Sequence, residues 1–318
     1  MVFNNLIFSL NAVFPIFIIL IIGYILKEKG VIDQYSIRKL NALMFNISLP
    51  MLLFRDIAGS NVREFFDLKL LLFAIGTTLI SFVLVWIGAE LFIKDKGSIG
   101  AFVQGAFRGN YALLGLVMVS NIGGSEALTK AALVTAFIIP LYNILVIIIL
   151  TLRSEEGGSI GMKTTLMNII KNPLIIGIAC AIPFSLFNIQ LPTVLAKSVD
   201  YMAVMATPLA MISIGGTIDL QQIKNQKIKL ALVASTIKLI ILPMIFIPIA
   251  LLMGIVGNDL LVLFVMYGSP TAVSSYVMAI NMKADAELAS DIFIITTLFS
   301  IFTFTIGIYI FKVLGFIS

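Results

Sequence analysis

Two short polar interruptions carry the residues of this sequence best suited to binding chemistry. One reads FRGNY at 107–111 and the other GSPTA at 268–272, each inside an otherwise apolar run. A small polar residue just ahead of a fresh helical pattern marks a helix start. Ser269 reads as an N-cap with Pro270 at the first helical position and Gly268 loosening the chain before it; Asn110, after Gly109, reads the same way. A helix N-terminus presents free N–H groups and about half a positive charge. Two such ends brought together would hold an anion, a carboxylate above all. Asn110, Ser269 and Thr271 would orient it and Arg108 would add positive potential, while Tyr111, Pro270 and Ser274 complete the candidate substrate set. The competing reading is a pair of kinks whose backbone groups are relieved by neighbouring helices.

Arg108 and Lys238 are the ionisable side chains that fall deep inside apolar runs. Intramembrane charges are candidates for function, and two cations suit an anionic ligand. Against this, Arg108 could instead cap the carbonyl end of the half-helix before it, and either chain is long enough to snorkel to the interface. Carboxylates gather near the ends of the runs. Asp291 is the least peripheral of the cytoplasmic set and, with Glu90, the acid best placed for proton coupling. Sodium would instead use carbonyl and amide oxygens, for instance near Gln104. Gln104, Lys238 and Asp291 are therefore the coupling candidates, to proton or to sodium. No cofactor and no metal centre are expected.

The sequence contains no histidine, which excludes histidine-based zinc sites, Ser-His-Asp triads and histidine proton relays. Cys180 is the one cysteine, so no intramolecular disulfide forms. Without a deep Asp pair or a Ser–Lys dyad, an intramembrane enzyme is not expected.

The elements that must position these residues follow from composition. The 318 residues are 60% hydrophobic and 12% charged, where a soluble domain carries about a quarter charged residues; mean hydropathy is +1.11. Ten apolar runs, at 9–26, 37–55, 68–93, 98–121, 127–152, 168–187, 193–217, 229–254, 259–281 and 288–312, approach the ~20 residues that cross a hydrocarbon core of about 30 Å. The expected fold is an all-α polytopic membrane protein. The N-terminal MVFNNLIFSLNAVFP has no basic region and no cleavage site, and reads as the lead-in to a retained first span.

In this ten-span scheme thirteen lysines and arginines fall on one side, six on the other, and two within spans. The richer side should be cytoplasmic, with both termini extracytoplasmic in a cell (plasma or inner) membrane. The net charge of +5 then reflects loop lysines, not nucleic-acid binding.

The halves share punctuation. Pro15 and Pro173, and Pro50 and Pro208, are each 158 residues apart, and the breaks at Asn110 and Pro270 are 160 apart. Five spans per half is odd, so the second half inserts upside down, a signature of secondary transporters. The halves are 1–152 and 168–318, joined by a short cytoplasmic linker at 153–167. Asn110 lies about 18 Å into span 4 and Pro270 about 16 Å into span 9 by helical rise, so both breaks fall near the midplane.

LNALMFNISLPMLLF in span 2, QGAFRGNYALLGL in span 4, TPLAMISIGGTI in span 7, KLIILP in span 8 and GSPTAVSSYVMA in span 9 together resemble the auxin efflux carrier family, whose bacterial members are organic-acid permeases. The resemblance covers essentially the whole chain. It implies ten helices in a five-plus-five inverted repeat with broken crossing helices 4 and 9, as in bile-acid symporters and sodium/proton antiporters. It implies a scaffold of spans 1, 2, 6 and 7 that forms a homodimer, and a transport unit of spans 3–5 and 8–10 that slides as an elevator. The substrate carboxylate would sit at the crossing marked by Asn110 and Pro270, with Ser48 facing it from the scaffold. The long cytoplasmic loop of the long plant carriers is absent here. The expected function is secondary transport of small organic anions, carboxylates such as malate or malonate or auxin-like acids. A sodium-coupled organic-anion symporter of the bile-acid type and a membrane sensor or channel on the same fold are the alternatives. The partners implied are the anion and the lipid bilayer.

Overall fold

The computed structural model describes residues 2–59, 65–153, 171, 173–219 and 227–316. Within them the chain is almost entirely helical, and seven helices are long and apolar enough to cross a membrane; Pro173–Phe187 and Gly257–Gly268 are shorter apolar helices. The expected linker at 153–167 lies outside the described residues beyond Arg153. The helices are polytopic membrane elements by composition: α4 (Leu68–Phe92) carries apolar side chains nearly all round, and Leu72, Ile80, Leu84 and Ile87 are exposed on it, as suits a lipid-facing surface.

In order, α1 is Val2–Glu28 and α2 is Gln34–Leu43, capped by the Asp33 carboxylate accepting from Ser36 N. A π-helical turn, Met44–Ser48, leads into α3 (Leu49–Ala58), with Pro50 in its first turn. After α4 come α5 (Lys96–Phe107), a π turn at Tyr111–Gly115 and α6 (Leu116–Arg153). Gly124 divides α6 with φ 67° and ψ −161°, a conformation essentially reserved for glycine; it falls between the expected spans 4 and 5. Next are α7 (Pro173–Phe187), α8 (Thr193–Val204) and α9 (Ala206–Thr217). Then α10 (Ile228–Thr236), a third π turn at Ile237–Ile241, and α11 (Leu242–Leu252) follow. The chain closes with α12 (Gly257–Gly268), α13 (Val273–Asn281) and α14 (Ala286–Val313).

The chain divides into two compact units. The first comprises Met1–Leu68, Ala112–Ala136 and Met167–Ile218. Its closest packing is between α1 and α9, where glycines let backbones touch: a methyl on Gly215 would overlap the Leu20 carbonyl, and one on Gly23 would overlap Ile212. α3 packs on α7 through Phe54 and Phe184, edge to face at 5.1 Å, and a Cβ on Gly177 would meet Pro50 at 3.0 Å. Arg55 pairs with Asp56 and Asp200, each at 2.8 Å.

The second unit comprises Lys69–Tyr111, Phe137–Leu166 and Asp219–Ser318. Residues 112–136 cluster with the first unit. In this second unit α5 is buried from Ser98 to Phe107 and α12 from Leu260 to Gly268. Gly105 lies against Ile292 of α14, and Phe82, Phe107 and Tyr142 form an edge-to-face chain. The starts of α5, α10 and α14 are tied together. Lys227 Nζ donates to Asp95 at 3.1 Å and Asp285 at 2.6 Å, and Ser98 Oγ donates to the same two carboxylates.

Candidate anion site at the paired helix breaks

The two breaks, at 108–111 and 268–272, lie in the second unit. α5 ends at Arg108, whose backbone is extended at φ −84° and ψ 122°, and α12 ends at Ser269, extended at φ −61° and ψ 137°. The residue before a proline is driven out of the α region, which accounts for Ser269. The two extended segments lie antiparallel: Gly109 and Thr271 form a β-bridge, and Asn110 N donates to Pro270 O at 2.6 Å. Part of the backbone freed from both helices is thus satisfied by pairing, and the Thr271 N–H by the Thr296 hydroxyl, as burial away from water requires.

Two expected details are corrected here. Ser269 is not an N-cap; it closes α12, and its hydroxyl donates back to Val265 O at 2.6 Å. Pro270 is not a first helical residue, because the chain stays extended through the bridge and α13 begins at Val273. Pairing with Gly109 outweighs the local capping preference. On the other side the chain coils immediately after Asn110, at Tyr111.

Asn110 is 4% exposed and its Nδ2 has no hydrogen-bond partner among the described residues. Thr271 is fully buried; its N–H donates to Thr296 Oγ1 at 3.0 Å and its hydroxyl to Gly105 O at 2.5 Å. Thr271 therefore fastens the bridge between α5 and α14, with its own hydrogen already spent. Pro270 and Tyr111 are buried, whereas Ser274 is exposed. Ser48 belongs to the first unit, fully buried in the 44–48 π turn, where its hydroxyl lacks a partner among the described residues.

Arg108 is the C-cap of α5, its backbone N–H donating to Gln104 O at 3.1 Å, and its side chain does not snorkel. It is 6% exposed, and its guanidinium donates to Asn143 Oδ1 at 3.0 Å and contacts Met278 Sδ at 3.1 Å. Snorkelling is also overturned for Lys238. That side chain is fully buried, and its Nζ donates to Tyr267 O at 2.7 Å and Met266 O at 3.3 Å, the last carbonyls of α12. A Cβ on Gly109 would lie 3.2 Å from this nitrogen, so the absence of a side chain there makes room for the ammonium.

Gln104 is fully buried, its Nε2 donating to Ser275 O at 3.0 Å. Gln104 Oε1 and Ser275 Oγ have no hydrogen-bond partner among the described residues. Asp291 is fully buried in the first turns of α14, beside Ile292. Glu90 is tied to Arg153 and, at 3.2 Å, to Lys96, so it serves a helix end. Asn143, Thr296 and Ser275 were missed by sequence reasoning; the lone amide of LYNILV was a usable signal for the first.

Residues 8–162 and 159–308 match the family described as membrane transport protein. The chain is similar to an "Uncharacterized transporter" of Methanothermobacter thermautotrophicus, 24% identical over 92% of this chain and 95% of the relative. It is also similar to a "Putative malonate transporter" of Rhizobium meliloti, 25% identical over 95% of each. The "Uncharacterized transporter YfdV" of Escherichia coli K12 is 22% identical over 95% of this chain and 98% of its own length.

Proposed function

The chain belongs to the membrane transport protein family, and from that premise we propose that it is a secondary carrier of small organic anions, with dicarboxylates such as malonate or malate foremost. The observation that carries this reading is the pair of antiparallel breaks at 108–110 and 269–272, each followed by a fresh helix start at Tyr111 and Val273. Helix starts offer N–H donors and partial positive charge. Around them stand the Nδ2 of Asn110, which lacks an acceptor, and two buried cations, Arg108 and Lys238. A carboxylate that leaves water needs such donors in return. The name of the Rhizobium relative agrees with a dicarboxylate.

The architecture proposed with it is ten spans in a five-plus-five inverted repeat, both termini extracytoplasmic, in the cell membrane, acting as a homodimer by an elevator motion. Support comes from the offset prolines, the lysine distribution and the separation of the chain into two compact units. In this reading the second unit carries the anion. Coupling in this reading is to protons, with Asp291 as the acid.

Counterflow in proteoliposomes tests this directly. Vesicles loaded with unlabelled malonate should accumulate labelled malonate in a saturable manner, competed by malate. Non-saturable flux would make the protein a channel, and no flux with any dicarboxylate would remove the substrate reading.

A further inference from the structure

Lys238 poses a physical problem that the crossing itself solves. It is fully buried, and among the described residues no carboxylate forms an ion pair with it. A buried ammonium without a counter-charge is strongly disfavoured. What surrounds it instead is the carbonyl end of α12: Tyr267 O at 2.7 Å and Met266 O at 3.3 Å. The C-terminus of a helix carries about half a negative charge, and unwound carbonyls at half-helix ends are the ligands by which broken-helix carriers hold alkali cations. Gly109 closes the same seat from the opposite break, where a Cβ would stand 3.0 Å from Met266 O and 3.2 Å from Lys238 Nζ. The π turn at Ile237–Ile241, which contains Lys238, sets this side chain on the line of the break.

We propose that Lys238 is a tethered cation: its ammonium fills a carbonyl seat at the end of α12 that would otherwise take a free alkali ion, so that anion binding at the crossing needs no sodium. The inference rests on the anion site proposed above. An incoming carboxylate meets a standing positive charge, and no second ion has to arrive with it.

The test is malonate affinity, measured by calorimetry on the purified full chain in choline chloride and in sodium chloride. The wild type should bind equally in both. Lys238→Ala should bind about fifteenfold to a hundredfold more weakly in choline, the effect of one unit charge at roughly 6–10 Å through an effective dielectric near 20. Sodium, potassium or ethylammonium should restore part of that loss by entering the vacated seat. Lys238→Met, which keeps the bulk, should show the same loss with no restoration. The proposal is overturned if wild-type binding requires sodium, or if Lys238→Ala binds in choline as tightly as wild type. It is equally overturned if a folded Lys238→Ala is restored by none of the three cations. The wild-type comparison needs no variant, so a misfolded variant leaves that arm decisive. If malonate and malate bind the wild type in neither salt, the substrate reading fails and the seat is judged alone. Ethylammonium or sodium should then raise the melting temperature of Lys238→Ala but not of wild type, and the absence of that difference would overturn the seat.

Discussion

Asn110 donates its backbone N–H to the carbonyl of Pro270 across 2.6 Å, so the two breaks are joined at this point through main chain. The Asn110 side chain is left available, its Nδ2 buried without a partner among the described residues. Asn110→Ala should therefore preserve the crossing and the melting temperature while weakening malonate binding by about 1–3 kcal/mol, the usual cost of one missing hydrogen bond to a charged group. Titration calorimetry reads the first quantity and a thermal melt the second. Unchanged affinity for every transported anion would place the ligand elsewhere.

Gly109→Ala should act in the opposite manner. The new methyl meets Met266 O, Lys238 Nζ and the Ser269 Cβ at 3.0–3.3 Å, so the carbonyl end of α12 and its neighbours must shift to admit it. A loss of about 1–3 kcal/mol of stability is expected from this overpacking, together with weaker binding, seen as a lower melting temperature in detergent.

The positions of both breaks were legible in the sequence because Pro270 and the Gly109–Asn110 pair are local signals. Their helix caps were not. Ser269 has the composition of an N-cap, yet a β-bridge between residues 162 positions apart keeps the chain extended past it, and local preference carries no information about such pairing. The directions of Arg108 and Lys238 were hidden for a related reason. A long side chain inside an apolar run can rise to the interface or turn inward, and which it does depends on the acceptors that tertiary packing supplies: Asn143 for one, the end of α12 for the other. Thr271 was singled out for the ligand, whereas its hydrogens go to Gly105 and Thr296.

Arg108 reaches partners on two elements with one planar fork, Asn143 on α6 and Met278 on α13. A lysine has a single nitrogen and cannot reproduce this geometry. Arg108→Lys and Asn143→Leu should each cost about 1–3 kcal/mol by leaving a buried polar group short of a partner. The double variant should cost less than the sum. Strict additivity in a thermal-melt cycle would show that the contact carries no coupling.

The clamp of Asp95, Ser98, Lys227 and Asp285 gives a pH signature. The Ser98 hydroxyl and then Lys227 hold the Asp95 carboxyl below the ordinary carboxylate range. Burial works to lower the Lys227 ammonium, but hydrogen bonds to Asp285 and Asp95 outweigh it and raise it. A depressed carboxyl contributes stability above its unfolded value and loses it as pH falls through the folded one; a raised ammonium contributes below its unfolded value and loses it as pH rises through the folded one. The melting-temperature gap between wild type and Lys227→Met should thus be flat near neutrality and narrow below about pH 4. The gap itself should be modest, on the order of 1 kcal/mol, since Lys227 is one-third exposed although Asp285 is nearly buried. A gap that widens in acid would contradict the clamp.

Gly124→Ala places a Cβ on a backbone at φ 67° and ψ −161°. Steric cost in that region is about 1–3 kcal/mol, with open space around the residue offering no other penalty. A melt as stable as wild type would mean that α6 straightens there.

The π turns at Met44–Ser48, Tyr111–Gly115 and Ile237–Ile241 have a bearing on how such a chain can diverge. A π turn holds about one residue more than an α turn of the same hydrogen-bonded ladder. Removing one residue from 237–241 would let α10 and α11 merge into an unbroken α-helix whose flanking turns keep their facing, while the residues within the turn are re-aimed. A substitution at Lys238 changes what the seat holds; a deletion beside it changes which residue is aimed there. Gains and losses of single codons, not only point changes, are therefore a route by which this scaffold can acquire or discard an internal charge at its crossing.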